Sequence, residues 1–71
     1  MLLRFDLYGR QQIAIRREGD GWRAYRPGNG TLVPMAELPI PAGLAAAELA
    51  IYLDDIFHEM GEPGREVRLL A

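Results

Sequence analysis

The sequence predicts an α+β fold: an antiparallel three- to four-stranded meander with one C-terminal amphipathic helix packed on one face, in the order β-β-β-(β)-α-(β). Three observations carry this. Apolar and polar residues alternate with period two through the first part of the chain, the mark of half-buried strands. Glycine-rich clusters at Gly9-Arg10, Glu18-Gly19-Asp20-Gly21 and Pro27-Gly28-Asn29-Gly30 interrupt that alternation where turns are needed. One apolar stripe at helical spacing then runs through residues 44–60. A chain of 71 residues suffices for one small domain spanning 1–71 and not for two.

The first strand is expected over Leu3 to Tyr8, with Leu3, Phe5 and Leu7 on one face and Arg4, Asp6 and Tyr8 on the other. Gly9-Arg10 makes the first turn. The second strand runs from about Gln11 to Arg17, with Ile13 and Ile15 inward and Gln12, Ala14 and Arg16 outward. The third runs from Trp22 to Arg26; Trp22 and Ala24 share one face, Arg23 and Tyr25 the other, and Trp22 seals the core at the strand start. Thr31 to Met35 is a candidate fourth strand that Pro34 confines to an edge, because proline cannot donate to a ladder. Leu38-Pro39-Ile40-Pro41 reads as an extended crossover.

The helix is expected from about Leu44 to Met60. Leu49, Tyr52, Leu53, Ile56 and Met60 form its apolar stripe, and Glu48, Asp54, Asp55, His58 and Glu59 its polar side. Ile51 breaks the pattern by projecting among the acids. Ser, Thr, Asp and Asn are all missing at the expected N-cap, which leaves Pro41 or Gly43 for that place. Gly61 and Glu62-Pro63-Gly64 stop the helix, and Arg65 to Leu70 is either a last short strand or a fraying tail. One helix is a narrow cover for such a sheet. The leftover apolar surface and two sheet edges point to self-association, a homodimer in the simplest case.

Composition excludes several classes of function. Cysteine and serine are absent and Thr31 is the only threonine, so Ser-His-Asp and Cys-His devices are excluded, as are disulfides and thiolate metal sites. No glycine loop has the lysine and following helix of a phosphate cradle, and no cofactor is expected. The longest apolar runs fall far short of a membrane span, and the acidic residue at Asp6 interrupts any signal-like start, so a cytoplasmic protein is expected. Net charge is −2, but it is unevenly spread: +3 over residues 1–30 and −5 over residues 31–71.

Three constellations are candidates for function. Arg4, Arg16 and Arg23 with Tyr8 and Tyr25 are assigned to the outer sheet face. Such a face suits a protein partner, since Arg and Tyr are favoured interface anchors; it also has the composition of single-stranded nucleic-acid platforms, against which the net charge stands. Its ordinary reading is a solvated face with cross-strand ion pairs to Asp6. The helix face Glu48, Ile51, Asp55, His58 and Glu59 is a second partner-binding candidate. Asp54, His58 and Glu59 make a weak metal candidate, because one histidine with carboxylates at helical spacing matches no named ligand motif; a solvated acidic face is the ordinary reading.

The motifs Phe5-Asp6-Leu7-Tyr8-Gly9-Arg10, Gly21-Trp22, Ile40-Pro41 and Tyr52-Leu53-Asp54-Asp55-Ile56-Phe57-His58-Glu59 resemble a family of short uncharacterised bacterial proteins of about 70 residues. The likeness runs over nearly the whole chain and implies a small bacterial domain, with no activity or catalytic residue attached. The functional expectation is a non-enzymatic protein-interaction or self-associating domain. The alternative is a nucleic-acid accessory module on the Arg/Tyr face, and a small metal-dependent enzyme ranks last.

Overall fold

A computed structural model describes residues 1–60 and 66–70, with the side chain of Met60 outside the description. Five strands form one antiparallel sheet: β1 (Leu2–Leu7), β2 (Gln11–Glu18), β3 (Gly21–Pro27), β4 (Leu32–Pro34) and β5 (Val67–Leu69), in the spatial order β4-β3-β2-β1-β5. The α-helix α1 (Leu49–Phe57) is preceded by a 3-10 turn at Ala46–Glu48 and followed by another at His58–Met60. The fold is therefore α+β with a C-terminal helix, and both optional strands are present. The expected helix stop at Gly61–Gly64, and Arg65 at the start of the expected last strand, lie outside the described residues.

The register confirms the alternation. Phe5 lies opposite Ile13, Leu3 opposite Ile15, and Ile15 opposite Ala24, so these share the inner face. Arg4 lies opposite Ala14, Ala14 opposite Tyr25, and Arg16 opposite Arg23, so these share the outer face. Glu18 pairs with Gly21, leaving Gly19 and Asp20 as the hairpin loop; Gly19 takes a φ of 60°. Glycine at the first loop position with positive φ is a favoured solution for a two-residue hairpin.

The first turn departs from expectation. Its central residues are Tyr8 and Gly9, with φ of 59° and 73°, and it closes through Arg10 N–H to the Leu7 carbonyl at 2.9 Å. The Asp6 carboxylate accepts the Gly9 N–H at 2.9 Å. Strand β1 thus ends at Leu7, and the left-handed backbone at Tyr8 breaks the alternation. Tyr8 was expected on the outer face; it is instead buried in the core, 2% exposed.

The core unites Phe5, Leu7, Tyr8, Ile13, Ile15, Trp22 and Ala24 of the sheet side with Leu49 and Leu53 of α1 and with Met35 and Leu38 of the crossover. The helix packs against β5 and β1. The crossover is pinned beside Trp22 and Ala24, on the β3 side. Met35 N–H donates to the Ala24 carbonyl at 2.9 Å, the Trp22 indole N–H to the Leu44 carbonyl at 2.9 Å, and the Tyr52 hydroxyl to the Pro39 carbonyl at 2.6 Å. The sheet thus has two covers, where one helix was expected to leave apolar surface over.

Two features of the helix are corrected. Leu44 and Ala45 precede the helical turns, and Ala45 holds the N-cap place assigned to Pro41 or Gly43. Alanine has no side-chain acceptor, so only half of a capping box forms: the Glu48 carboxylate accepts the Ala45 N–H at 2.8 Å. The buried stripe is also rotated. Leu49 and Leu53 are fully buried, with Ala50 and Phe57 packed partly behind them, while Ile56 is 48% exposed. Because α1 sits over the β1–β5 half of the sheet, its Ala50–Phe57 side turns inward and Ile56 falls outside.

This rotation is measurable. Leu53→Ala leaves a cavity in the dry layer and is expected to cost about 2–5 kcal/mol in denaturant unfolding. Ile56→Ala is expected to cost within about 0.5 kcal/mol, as for a surface site. Equal losses would mean that the helix presents its expected stripe after all.

Candidate functional site

The outer face of the sheet is where charged and aromatic groups converge. Arg16 of β2 and Arg23 of β3 are direct cross-strand partners, which sets two guanidinium groups side by side. Like charges so placed repel. Glu18, two residues beyond Arg16 on the same face, resolves this. Its carboxylate accepts from Arg16 at 2.7 Å and lies 3.2 Å from Arg23.

Tyr25 completes the cluster. Its hydroxyl donates to Glu18 and accepts from Arg16 at 2.7 Å. The Arg16 guanidinium lies over the Tyr25 ring, 4.8 Å from its centroid, and the tyrosine is only 6% exposed, beside the fully buried Ala14 of the same face. The Tyr25 hydroxyl hydrogen bond, then Arg16, holds the Glu18 carboxyl below the usual carboxylate range; the same bond to Glu18, then burial, raises the Tyr25 phenol. Arg4 stands on this face beside the turn formed by Pro27, Gly28, Gly30 and Thr31, and has no ion pair among the described residues. Arg68 joins the face opposite Asp6. Asp6 itself is engaged with the Gly9 N–H, and Arg16 pairs with Glu18 rather than with Asp6.

Of the residues assigned to this face, Arg4, Arg16, Arg23 and Tyr25 are brought together and Tyr8 is not. Tyr8 has crossed to the other side, where its hydroxyl donates to the Asp54 carboxylate at 2.5 Å and lies 3.3 Å from the Asp54 carbonyl. Neither tyrosine presents an open ring face for a base to stack on. Glu18 was missed as a member of the site; its place two residues beyond Arg16 on the same side of β2 is the signal that would have found it. Arg17 was likewise unassigned. Its register partner is Trp22, and its guanidinium stacks 4.6 Å from the indole centroid on the inner face.

On α1, Glu48, Ile51, Asp55, His58 and Glu59 are all exposed, and Ile51 stands out at 66%. Glu48 also serves the helix start. The weak metal candidate is not assembled: the Asp54 carboxylate is taken by Tyr8, and among the described residues no three His, Asp or Glu side chains group closely enough to hold a metal ion. No described helix is long and apolar enough to cross a membrane.

The fold and this site define a class: a small α+β domain whose sheet is covered on one side and presents an arginine-rich surface on the other. Over residues 2–71 the chain matches the family described as "Domain of unknown function (DUF7661)", and it belongs to that family. No curated protein and no solved structure matches it.

The Tyr8–Asp54 tie has a pH signature. Burial, and then the bond to Asp54, push the Tyr8 phenol up from 10.0 to about 12. A phenol whose folded pKa is raised contributes stability that is complete below its unfolded value and is lost as pH rises through its folded one. Wild type should therefore lose stability between pH 10 and about 12 more steeply than Tyr8→Phe, in unfolding curves across that range. Parallel curves would show that the Tyr8 proton is not sheltered.

Proposed function

We propose that this chain is a non-enzymatic interaction domain that binds an acidic surface of another protein through the outer face of its sheet. One observation carries the reading. The inner face is covered by both α1 and the crossover, while the outer face, though Ala14 and Tyr25 are buried in it, presents Arg4, Arg16, Arg23 and Arg68, with Arg16 and Arg23 set by Glu18 and Tyr25. With Asp6, Glu18 and Glu66 on the same side, four arginines still outnumber three carboxylates, and Asp6 and Glu18 already have partners. Guanidinium groups held in place lose little freedom on binding, which favours affinity.

The resemblance of its motifs to short bacterial proteins supports a bacterial setting. The nucleic-acid alternative keeps its arginines but has neither Tyr8 nor an uncovered Tyr25 to stack bases.

Affinity capture from the native host, with wild type and the Arg4→Glu/Arg23→Ala variant as paired baits, tests the reading. A protein held by wild type should bind the variant at least about thirtyfold more weakly, the scale of losing one interface anchor. Equal capture by both baits would overturn it. So would salt-sensitive binding of a single-stranded oligonucleotide that the variant loses, which would favour the alternative.

A further inference from the structure

The two edges of the sheet are not equivalent, and one of them matches a second copy of itself. At the β4 edge, Gly28 N–H bonds the Thr31 carbonyl and Met35 N–H bonds the Ala24 carbonyl. The alternation of an antiparallel ladder then turns Leu32 and Pro34 outward, and Pro34 has no N–H to offer. That edge is blunted.

At the β5 edge, Tyr8 N–H bonds the Glu66 carbonyl and Leu70 N–H bonds the Arg4 carbonyl, with Arg68 opposite Asp6 between them. Residues 66, 68 and 70 thus face β1, and the backbone N–H and C=O groups of Val67 and Leu69 point away from the sheet. No proline lies among residues 66–70. Leu69 is 57% exposed, and the exposed Ile51 of α1 lines a groove with Ala50, Val67, Asp54 and Glu66. Among the described residues no strand pairs with this edge, and an unpaired edge is a template for another strand.

We propose that the chain forms a two-fold dimer by antiparallel pairing of β5 with β5 of a second copy, centred on Val67. In this register the two Val67 residues exchange both backbone hydrogen bonds. Glu66 of each copy stands opposite Arg68 of the other, giving two reciprocal ion pairs. Neighbouring registers lack this. Centring on Arg68 sets the two guanidinium groups against each other, which is destabilising; centring on Leu69 sets Arg68 against Leu70. The short segment Glu66-Val67-Arg68 is thus complementary to itself in one register, as an isologous interface requires. The same pairing joins the two sheets into one and brings Ile51 of both copies toward the seam. The seam takes Arg68 from the margin of the arginine-lined face, but the capture test changes Arg4 and Arg23 and the dimer test changes Glu66 and Arg68, so either reading can fail without the other.

Sedimentation velocity over a wide concentration range tests the dimer. Wild type is expected to dimerise. Glu66→Arg alone and Arg68→Glu alone each place like charges across the seam and should raise the dissociation constant about tenfold or more. An equimolar mixture of the two variants restores both ion pairs and should recover the dimer. A wild type that stays monomeric at the highest concentration overturns the proposal, and so does a mixture no tighter than its components. Hydrogen exchange reads the same seam in the unaltered protein: the Val67 amide should be protected in concentrated solution and exchange freely on dilution. A dimer whose Val67 amide exchanges at the free rate uses another surface, and the proposal falls.

Discussion

The inner face of the sheet, built from Phe5, Leu7, Ile13, Ile15, Trp22 and Ala24, has to be kept from water, and α1 is too small to do it alone. Five strands spaced at about 4.8 Å present a face roughly 19 Å across between the outer strand axes. A nine-residue helix is about 14 Å long and roughly 10 Å wide with its side chains. The crossover makes up the difference. Met35 and Leu38 enter the core, with Ile40 and Leu44 packed against it. An extended segment has no internal ladder to hold its shape, so it depends on outside bonds. The Trp22 indole, whose ring lies in the core, and the hydroxyl of the half-buried Tyr52 supply them, each with a polar tip on a crossover carbonyl. Among the described residues no buried side-chain polar atom lacks a partner.

Closing one face in this way leaves the other to electrostatics. Arg16 and Arg23 meet across the β2–β3 ladder because strand register, set by the inner apolar residues, gives them no alternative. A one-residue slip would expose Ile13 and Ile15, so the repulsion is tolerated and a carboxylate is placed to relieve it. Glu18 does this at the end of β2, and Tyr25 ties the group together from β3. The result is a positively charged surface with little freedom at its centre and freer arginines, Arg4 and Arg68, at its margins. The acidic groups of α1 and the arginines of the outer face therefore lie on opposite sides of the sheet.

Much of this was legible because period-two and period-3.6 patterns report burial directly. The faces of Phe5, Ile13, Trp22, Arg4, Arg16 and Arg23 all follow from alternation, and Pro34 declared its edge. What alternation could not show is where it stops. Tyr8 is one residue past the end of β1, and the turn needs two consecutive left-handed residues there. A left-handed φ costs a non-glycine residue about 1–2 kcal/mol, and nothing local in the sequence marks a bulky tyrosine as the residue to adopt it. The tie to Asp54 lies 46 residues away in the chain, beyond the reach of any pattern. Asp54 was placed with the solvated acids for the same reason.

The local chemistry of the chain determined its elements, the turn at Gly19-Asp20 and which strand side chains share a sheet face, since these follow from the spacing of apolar residues and the dihedral demands of glycine and proline. Tertiary structure alone decided the rotation of α1, the folding of the crossover onto the β3 side, the inward turn of Tyr8 and the gathering of Arg16, Arg23 and Tyr25 around Glu18. Each of these depends on how much apolar area one element leaves for another to cover, a quantity that exists only once the elements are packed.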